Sequence, residues 1–366
     1  MKEARKIEAL FEVLRIVASL AIAYVIALLV LFFVSDEPLF VIQQFVLGPF
    51  SSPRRIGSII NLAVPFVLCG LGMCFIYSVG KLNMMGDGIF MLSGCIVTFV
   101  GLRIGGLGLP APLVWLILML VGGLVGVMCI YLPAWLDVKL GVSVIVVSIL
   151  ANTILSELSQ YILQFQMRDP SASYLASFPL DPSVSLPKFL PSSLKLQSGI
   201  LVAAALYLLS VVLLHKTTLG YKMRMVGANA KMARAAGMSV ASTIIIAQLI
   251  GGFLAGVGGA MEIMSNYTRF LWTDTTGHGF DGLMVAVLAK KDPKYVPITA
   301  LLLAYIRIGS DVVNSSSSIP NEFVSVIQCI IILLVAAEMF LTKQRNKLIC
   351  KAAEANLKQE QQKQPA

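Results

Sequence analysis

Six polar side chains lie within or at the ends of long apolar stretches of this 366-residue sequence: Asn83, Asp87, Asn152, Gln248, Glu262 and Asp281. A polar group that a bilayer buries is costly unless it is paired. Such groups would either line a polar cavity, as candidates for a substrate pathway, or join helices through hydrogen bonds worth roughly 0.6–2 kcal/mol each. Both alternatives stay open for Asn83 and Asn152, whereas the positions of Glu262 and Asp281 near segment ends favour an interfacial or structural role.

Other kinds of chemistry find no support in the residue patterns. The sequence has no HExxH or GxSxG motif and no convincing Ser/His/Asp set, so we predict no catalytic residue. His215 and His278 lie far apart and the cysteines form no CxxC pair, so we predict neither a metal site nor a disulfide framework. The GxxxxGK[ST] loop that cradles ATP phosphates is also missing, and we expect this chain to bind no cofactor.

The elements that must position these residues are membrane helices. The chain is 57% hydrophobic and only 13% charged, whereas about a quarter of a soluble domain is charged. The first apolar run is too long for a cleavable signal peptide and is predicted to be a retained span. We predict an all-α polytopic membrane protein with both termini cytoplasmic and about ten transmembrane segments, near residues 13–34, 56–79, 82–102, 113–132, 142–163, 199–214, 243–264, 279–289, 296–308 and 322–340.

The connecting segments follow the charge distribution. The net charge of +9 comes from basic residues in short loops and tails, which indicates cytoplasmic loops and contact with membrane lipid rather than with nucleic acid. Residues 164–198 contain five prolines, which predicts an irregular, solvated extracytoplasmic loop where a partner could dock. The segment between the first two spans is predicted as an extracytoplasmic loop, and residues 133–141 are predicted as a short cytoplasmic loop. We predict that residues 1–342 form one transmembrane domain and that residues 343–366 form a disordered basic cytoplasmic tail.

Two interrupted segments occupy matching places in the chain. Residues 83–88 read NMMGDG and residues 279–282 read GFDG, so each combines helix-breaking glycine with a carboxylate. If the first and sixth spans are set aside, segments 2–5 and 7–10 run in opposite senses, and the interrupted segment is second in each set. Matched broken segments in inverted halves are typical of transport sites. An inverted repeat with a site at its interface is therefore a hypothesis.

A basic island separates two apolar runs. Residues 219–237 read LGYKMRMVGANAKMARAAG and contain no acidic residue, although Lys222, Arg224, Lys231 and Arg234 are present. The loop around it, residues 215–242, is predicted to be cytoplasmic. A short amphipathic helix in such a loop can seat in a groove on a soluble partner. Charge alone also fits an ordinary solvated loop.

The spacing within this island is similar to one family. The chain resembles the membrane permease subunits of ABC importers for ribose-type sugars, branched-chain amino acids and nucleosides, and it looks closest to the nucleoside and simple-sugar branch. Besides the island, the segments 82–94, 141–152, 251–262 and 279–288 resemble the family's segments in the same order. The chain departs from the family at residues 85–89 and 143–145, and has Lys290-Lys291-Asp292 where a glycine-led turn is usual.

The resemblance implies a function and its partners. Such a permease forms the pathway for a small polar solute, with a nucleoside or simple sugar favoured, and is not itself an enzyme. A separate cytoplasmic ATPase would hold ATP and Mg²⁺, a second permease subunit of the same or a similar kind would complete the membrane unit, and an extracytoplasmic lipoprotein would deliver the solute. The chain is expected in the plasma membrane of a bacterium. The residues implied for ATPase coupling are Gly220, Arg224, Gly227, Asn229, Lys231, Arg234 and Gly237.

The alternative is a transporter driven by an ion gradient. In that case the intramembrane carboxylates Asp87 and Glu262 would bind protons or sodium ions. Dependence of uptake on ATP, rather than on the proton-motive force, separates the two mechanisms.

Overall fold

The structure, a computed structural model, describes residues 38–187 and 196–316, and every regular element in that part of the chain is a helix. Its α-helices are α1 (Pro38–Leu47), α2 (Pro53–Ser78), α3 (Gly86–Ile104), α4 (Ala111–Leu140), α5 (Val144–Ile162), α6 (Gly199–Lys216), α7 (Thr218–Ala228), α8 (Ala230–Ala235), α9 (Val240–Asn266), α10 (His278–Leu288) and α11 (Val296–Ser316). A π-helical turn, Leu163–Met167, continues α5.

Seven described helical segments are long and apolar enough to cross a membrane: Pro53–Ser78, Gly86–Leu107, Ala111–Leu140, Val144–Met167, Gly199–Lys216, Val240–Asn266 and Pro293–Ser316. Each coincides with a predicted span. The predicted short segment at 279–289 is the eleven-residue helix α10. The predicted spans at 13–34 and 322–340, and the tail, lie outside the described residues.

Contacts divide the chain into two units. One comprises Leu47–Ile308, and the other comprises the residues up to Val46 together with those from Gly309 onward. In the described part of the second unit, a side chain added at Gly309 would meet the Phe45 carbonyl oxygen at 2.9 Å. All the elements discussed below belong to the first unit unless stated otherwise.

Helix α9 lies at the centre of the first unit, packed against α2, α3 and α4. Glycines allow the close approach: a Cβ at Gly251 would lie 2.8 Å from the carbonyl oxygen of Gly72, and a Cβ at Gly252 would lie 2.6 Å from that of Gly126. Without a hydrophobic driving force between helices in lipid, such backbone-to-backbone packing supplies much of their attraction.

Two loop predictions were wrong. Residues 133–140, predicted as a loop, continue α4, which ends where Gly141 adopts a φ of 68°. The helix extends because its last turns are apolar and because Asp137 pairs with Lys81 at 2.7 Å. Between the first two predicted spans, where a loop was expected, α1 forms a further short helix.

Residues 164–187 lack regular strands and long helices, as predicted, but they are not a solvated linker. Ala176, Val184 and the Ser177 side chain are buried. The backbone pairs with the segment after α9, since Leu180 N–H donates to Thr268 O at 2.8 Å and Ser177 N–H donates to Phe270 O at 3.1 Å. Hydrogen bonds to a distant segment thus order this stretch without forming a sheet.

Candidate functional site

The chain between α2 and α3 leaves helical geometry for residues 79–85, and a chain of amides holds the break. Asn83 Oδ1 accepts a hydrogen bond from Met85 N–H at 3.0 Å, which makes Asn83 Nδ2 the donor to Gln248 Oε1 on α9 at 2.9 Å. Gln248 is fully buried, and its Nε2 has no hydrogen-bond partner among the described residues. The amide chain therefore ends in a free donor.

The start of α3 is held by α5. Asn152 Oδ1 accepts from Gly88 N–H at 2.6 Å, and Ser148 Oγ accepts from Met84 N–H at 3.0 Å. The first N–H groups of a helix have no partner within the helix, so side chains from elsewhere must satisfy them when they are buried. Gly88 allows this contact, since a Cβ there would lie 2.7 Å from the Asn152 carbonyl oxygen.

The two interrupted segments meet at Asp87. Its carboxylate accepts hydrogen bonds from Gly277 N–H at 3.2 Å and from Gly279 N–H at 3.0 Å. Asp87 thus caps the start of α10 from a position about 190 residues earlier in the chain, where a negative charge is favoured by the helix dipole. A Cβ at Gly86 would lie 3.4 Å from Gly279 Cα, so the two backbones touch.

The remaining two carboxylates also have partners. Asp281 forms an ion pair with Arg307 of α11, and Glu262 accepts from Asn266 Nδ2 at 2.8 Å. Arg307 was missed in the sequence analysis, although an arginine within an otherwise apolar segment indicates a buried ion pair. All six predicted polar side chains therefore have at least one hydrogen-bond or ion-pair partner, and among the described residues Gln248 also retains an N–H₂ donor without an acceptor.

A narrow cavity follows this seam. It is lined by Cys69, Met73, Ile76, Asn83, Gly86, Ile89, Ile130, Gly251, Gly252, Ala255 and Gly279. Glycine backbone forms a large part of the lining on both interrupted segments and on α9. Next to the lining residues Ile89 and Gly279, the Phe90 ring stacks on Trp272 with centroids 5.4 Å apart and on His278 at 4.9 Å.

The basic island forms the helices α7 and α8. Thr217 Oγ1 accepts from Gly220 N–H at 3.2 Å, and Asn229 Oδ1 accepts from Lys231 and Met232 N–H at 3.0 and 3.1 Å. Asn229 ends α7 and caps α8, which explains an amide at this position. Gly237 follows α8 with a φ of 78°, a conformation that suits glycine.

The two helices are amphipathic. Gly220, Met223, Val226 and Ala233 are buried, whereas Lys222, Arg224, Lys231 and Arg234 are exposed. Tyr221 and Met232 are 50% and 63% exposed. A side chain at Gly227 would lie 3.2 Å from Gly80 N, so α7 touches the backbone just before the break that contains Asn83. Arg224 also donates to the Leu214 carbonyl at the end of α6.

Comparison with known proteins identifies the family. The family described as "Branched-chain amino acid transport system / permease component" matches residues 55–336. The chain belongs to this permease family. The match includes both interrupted segments and the basic island.

Relatives of this permease carry ABC transporter names. It is 29% identical over 288 residues to the glucose ABC transporter permease protein TsgB13 of Haloferax volcanii, covering 76% of this chain and 75% of that protein. It is 30% identical over 320 residues to the guanosine ABC transporter permease protein NupP of Bacillus subtilis, covering 84% and 88%. It is 25% identical over 333 residues to the nucleoside ABC transporter permease protein NupB of Lactococcus lactis, covering 88% and 90%. No solved structure matches the chain.

These findings identify the protein as a permease subunit of an ABC transporter rather than an enzyme. Its seven described spans and its family place it in the plasma membrane as a multi-pass protein. The ion-gradient alternative is not favoured, because the family and the named relatives are ABC transporter permeases.

Proposed function

We propose that this permease forms the translocation pathway of an importer for a nucleoside or a simple sugar. The observation that carries the proposal is the similarity to the guanosine and glucose permeases over most of each chain. In the proposed assembly a separate cytoplasmic ATPase holds ATP and Mg²⁺. A second permease subunit of the same or a similar kind completes the membrane unit, and an extracytoplasmic lipoprotein delivers the solute.

The proposed topology has ten segments, both termini in the cytoplasm, and one transmembrane domain over residues 1–342. Residues 215–242 face the cytoplasm, residues 164–198 face the opposite side, and residues 343–366 are a cytoplasmic tail. The meeting of Asp87 with the start of α10 supports an inverted repeat, because each interrupted segment then lies at the interface of the two halves.

The coupling element is proposed to be α7 and α8. Gly220 and Gly227 allow backbone packing, Asn229 and Gly237 shape the turns, and Arg224, Lys231 and Arg234 present positive charge. Exposed Tyr221 and Met232 would give an ATPase groove an apolar contact. Movement of α7 would reach the Asn83 break through the contact between Gly227 and Gly80.

For the six polar residues we propose a division of roles along the pathway. Asn83, Asp87, Asn152 and Asp281 hold the interrupted segments, because their side chains bond to other segments of the chain. Glu262 bonds to Asn266 one turn along α9 and is proposed to hold the end of that helix. Gln248 is proposed as a residue that the solute reaches only when the interrupted segments move apart, because its N–H₂ group is fully buried and has no acceptor among the described residues. A solute hydroxyl or carbonyl would satisfy that donor.

Uptake of tritiated guanosine and of labelled glucose tests the function. The permease would be expressed with the ATPase and lipoprotein encoded beside it, in cells that lack their own uptake of these solutes. We expect uptake of one solute to persist with a protonophore and to stop when ATP is depleted. Loss of uptake with the protonophore while ATP is maintained would contradict the ATP-driven mechanism. Failure to import either solute would contradict the proposed substrate class.

A further inference from the structure

Polar side chains lie along one exposed face of α5 and of the π-helical turn that continues it. Thr153, Glu157, Tyr161 and Gln164 recur at intervals of four, four and three residues, which places them on one side of a helix. All four are exposed, Tyr161 to 56%. We call them the α5 polar face.

This face lacks internal hydrogen-bond partners. The Thr153 hydroxyl donates to Ile149 O at 3.4 Å, whereas no hydrogen bond or ion pair joins Glu157, Tyr161 or Gln164 to another residue in the described ranges. Side chains of this polarity on a soluble helix would be satisfied by water. On a helix apolar enough to span a membrane they need another explanation.

The position of Glu157 along α5 places its carboxylate within the thickness of the membrane. At 1.5 Å per residue it lies about 20 Å along the helix from Val144, within the roughly 30 Å of hydrocarbon that a span crosses. A carboxylate at that depth does not face lipid tails; it faces water or another protein. The face points outward from the described bundle, so the water would lie between this chain and a neighbouring subunit.

The inference rests on the proposed function, in which this permease pairs with a second permease subunit to import a solute. We propose that the α5 polar face is the solute-binding wall of the translocation passage. The solute it fits is a neutral ring compound with several hydroxyl groups, such as a nucleoside. The passage is closed on its far side by the second permease subunit.

The chemistry of the face matches such a solute. The Glu157 carboxylate and the Gln164 amide oxygen accept hydrogen bonds from ring hydroxyls, and the Gln164 N–H₂ group donates to carbonyls. Tyr161 and the adjacent Phe165 lie with their ring centroids 4.9 Å apart, and Phe165 is 64% exposed. Exposed rings of this kind offer a surface onto which a planar base or the apolar side of a sugar stacks.

The back of the same helix holds the face in place. Asn152 and Ser148 bond to the start of α3, so α5 is tied to the seam of interrupted segments. Its outer end passes into the π-helical turn Leu163–Met167, a local irregularity that is frequent at functional sites. A binding surface on a helix fixed from behind keeps its groups at constant spacing.

Cysteine labelling tests whether the face is lined by water. Glu157→Cys and the control Leu158→Cys would be compared in membranes that contain the whole transporter, with the labelling of the parent chain as background. Both positions are exposed in this chain, but they point in different directions around α5. The probe is a charged, membrane-impermeant methanethiosulfonate. We expect Cys introduced at 157 to be labelled, guanosine to slow the labelling, and Cys introduced at 158 to stay unlabelled.

Uptake of tritiated guanosine tests the role of the carboxylate. Glu157→Gln keeps the size of the side chain and removes its charge, and Leu158→Ala is the control one residue along. We expect Glu157→Gln to lower uptake about ten-fold or more, the loss expected for one hydrogen bond to a charged group. The amount of permease in the membrane and its association with the ATPase should not change. The control should retain uptake within about two-fold.

The outcomes separate the inference from the function on which it rests. Unlabelled cysteine at 157 would show that lipid or protein covers the face, and would overturn the inference even if guanosine is imported. Labelling with unchanged uptake by Glu157→Gln would overturn the binding role. If the parent transporter imports neither guanosine nor glucose, the proposed function fails. In that case labelling at 157 alone would support a water-lined passage, and equal labelling at 157 and 158 would overturn it.

Discussion

Helix α5 has polar residues on two sides, and the two sides differ in how they are satisfied. On the inner side, Ser148, Asn152, Ser156 and Ser159 are buried, and their side chains bond to α3 or to the preceding turn of α5. On the outer side, Glu157, Tyr161 and Gln164 are exposed, and their side chains form no hydrogen bond or ion pair within the described chain. The inner polar residues of α5 therefore hold the subunit together. The outer polar residues form the surface that we propose faces the solute.

The largest expected effect concerns a buried ion pair that is satisfied within the subunit. Arg307→Met removes the guanidinium that pairs with the buried Asp281 carboxylate. Removing one member of a buried pair costs about 3–5 kcal/mol, so purified permease should unfold at a markedly lower temperature in detergent. The double variant Arg307→Met with Asp281→Asn should recover part of that loss. An unchanged unfolding temperature for the single variant would show that the pairing with Arg307 does not stabilise Asp281.

A matched pair of substitutions on α5 tests the comparison directly. Asn152→Leu removes the acceptor for Gly88 N–H, and an unsatisfied buried group costs about 1–3 kcal/mol. Glu157→Leu removes no recorded contact, so it should leave the unfolding temperature in detergent unchanged while abolishing guanosine uptake. If Glu157→Leu destabilised the subunit as much as Asn152→Leu, the distinction between the two sides would fail.

A smaller expected effect concerns residues that change the stability of the folded protein through their backbone conformation. The turn after α10 holds Lys290 and Lys291 at φ values of 54° and 64°, so the chain keeps left-handed backbone where the family usually has a glycine-led turn. Lys291→Gly should relieve about 1–2 kcal/mol of strain. Against this, it should lose about 0.5 kcal/mol from the contact of Lys291 with the Tyr77 ring and about 0.5 kcal/mol because glycine adds freedom to the unfolded chain. The unfolding temperature should rise slightly.

Lys294→Gly is the control for that substitution. Lys294 is also exposed, but it lies in a short 3-10 helix and has no positive φ. Glycine there should lower the unfolding temperature, because it only adds freedom to the unfolded chain. If the unfolding temperature changed in the same direction in both variants, the proposed backbone strain at Lys291 would be wrong.

The smallest effect concerns a polar cluster outside the spans. The Ser171 hydroxyl, 2.6 Å from Asp169, and then the Ser171 backbone N–H and Arg269 hold the pKa of Asp169 below its usual value. The contribution to stability is complete above the unfolded pKa of about 4 and is lost as the pH falls through the lower folded pKa. Between pH 6 and 3, Asp169→Asn should lose less stability than the parent chain. An equal loss of stability in the variant and the parent chain over this pH range would contradict the prediction.

Some features of the candidate site were predictable and others were not. The break at residues 83–88 and the short segment at 279–282 were visible as glycine and carboxylate within apolar runs. That Asp87 caps α10, or that Asn83 bonds to Gln248, was not, because those partners lie 165 to 192 residues apart. The pattern within one segment shows which polar groups need a hydrogen-bond partner. It does not identify the distant group that supplies the partner.

Element boundaries show the same limit. The apolar runs predicted all seven described spans, because a bilayer requires about 20 apolar residues to cross it. The end of α4 was wrong by about two turns, because its pairing of Asp137 with Lys81 on another segment is a tertiary contact. The proline-rich stretch 164–187 was predicted to be irregular, but its burial depends on backbone bonds to residues 264–270.

The sequence by itself determined that this chain is a multi-span membrane protein and, through the spacing of its glycines and amides, which family it belongs to. Hydrophobic length and glycine spacing are properties of single segments, so they can be read along the chain. Only the tertiary structure decided which polar residues are already satisfied and which face of α5 is not. That distinction depends on which groups distant segments bring within hydrogen-bond distance, and it separates the residues that hold this permease together from those that we propose face its solute.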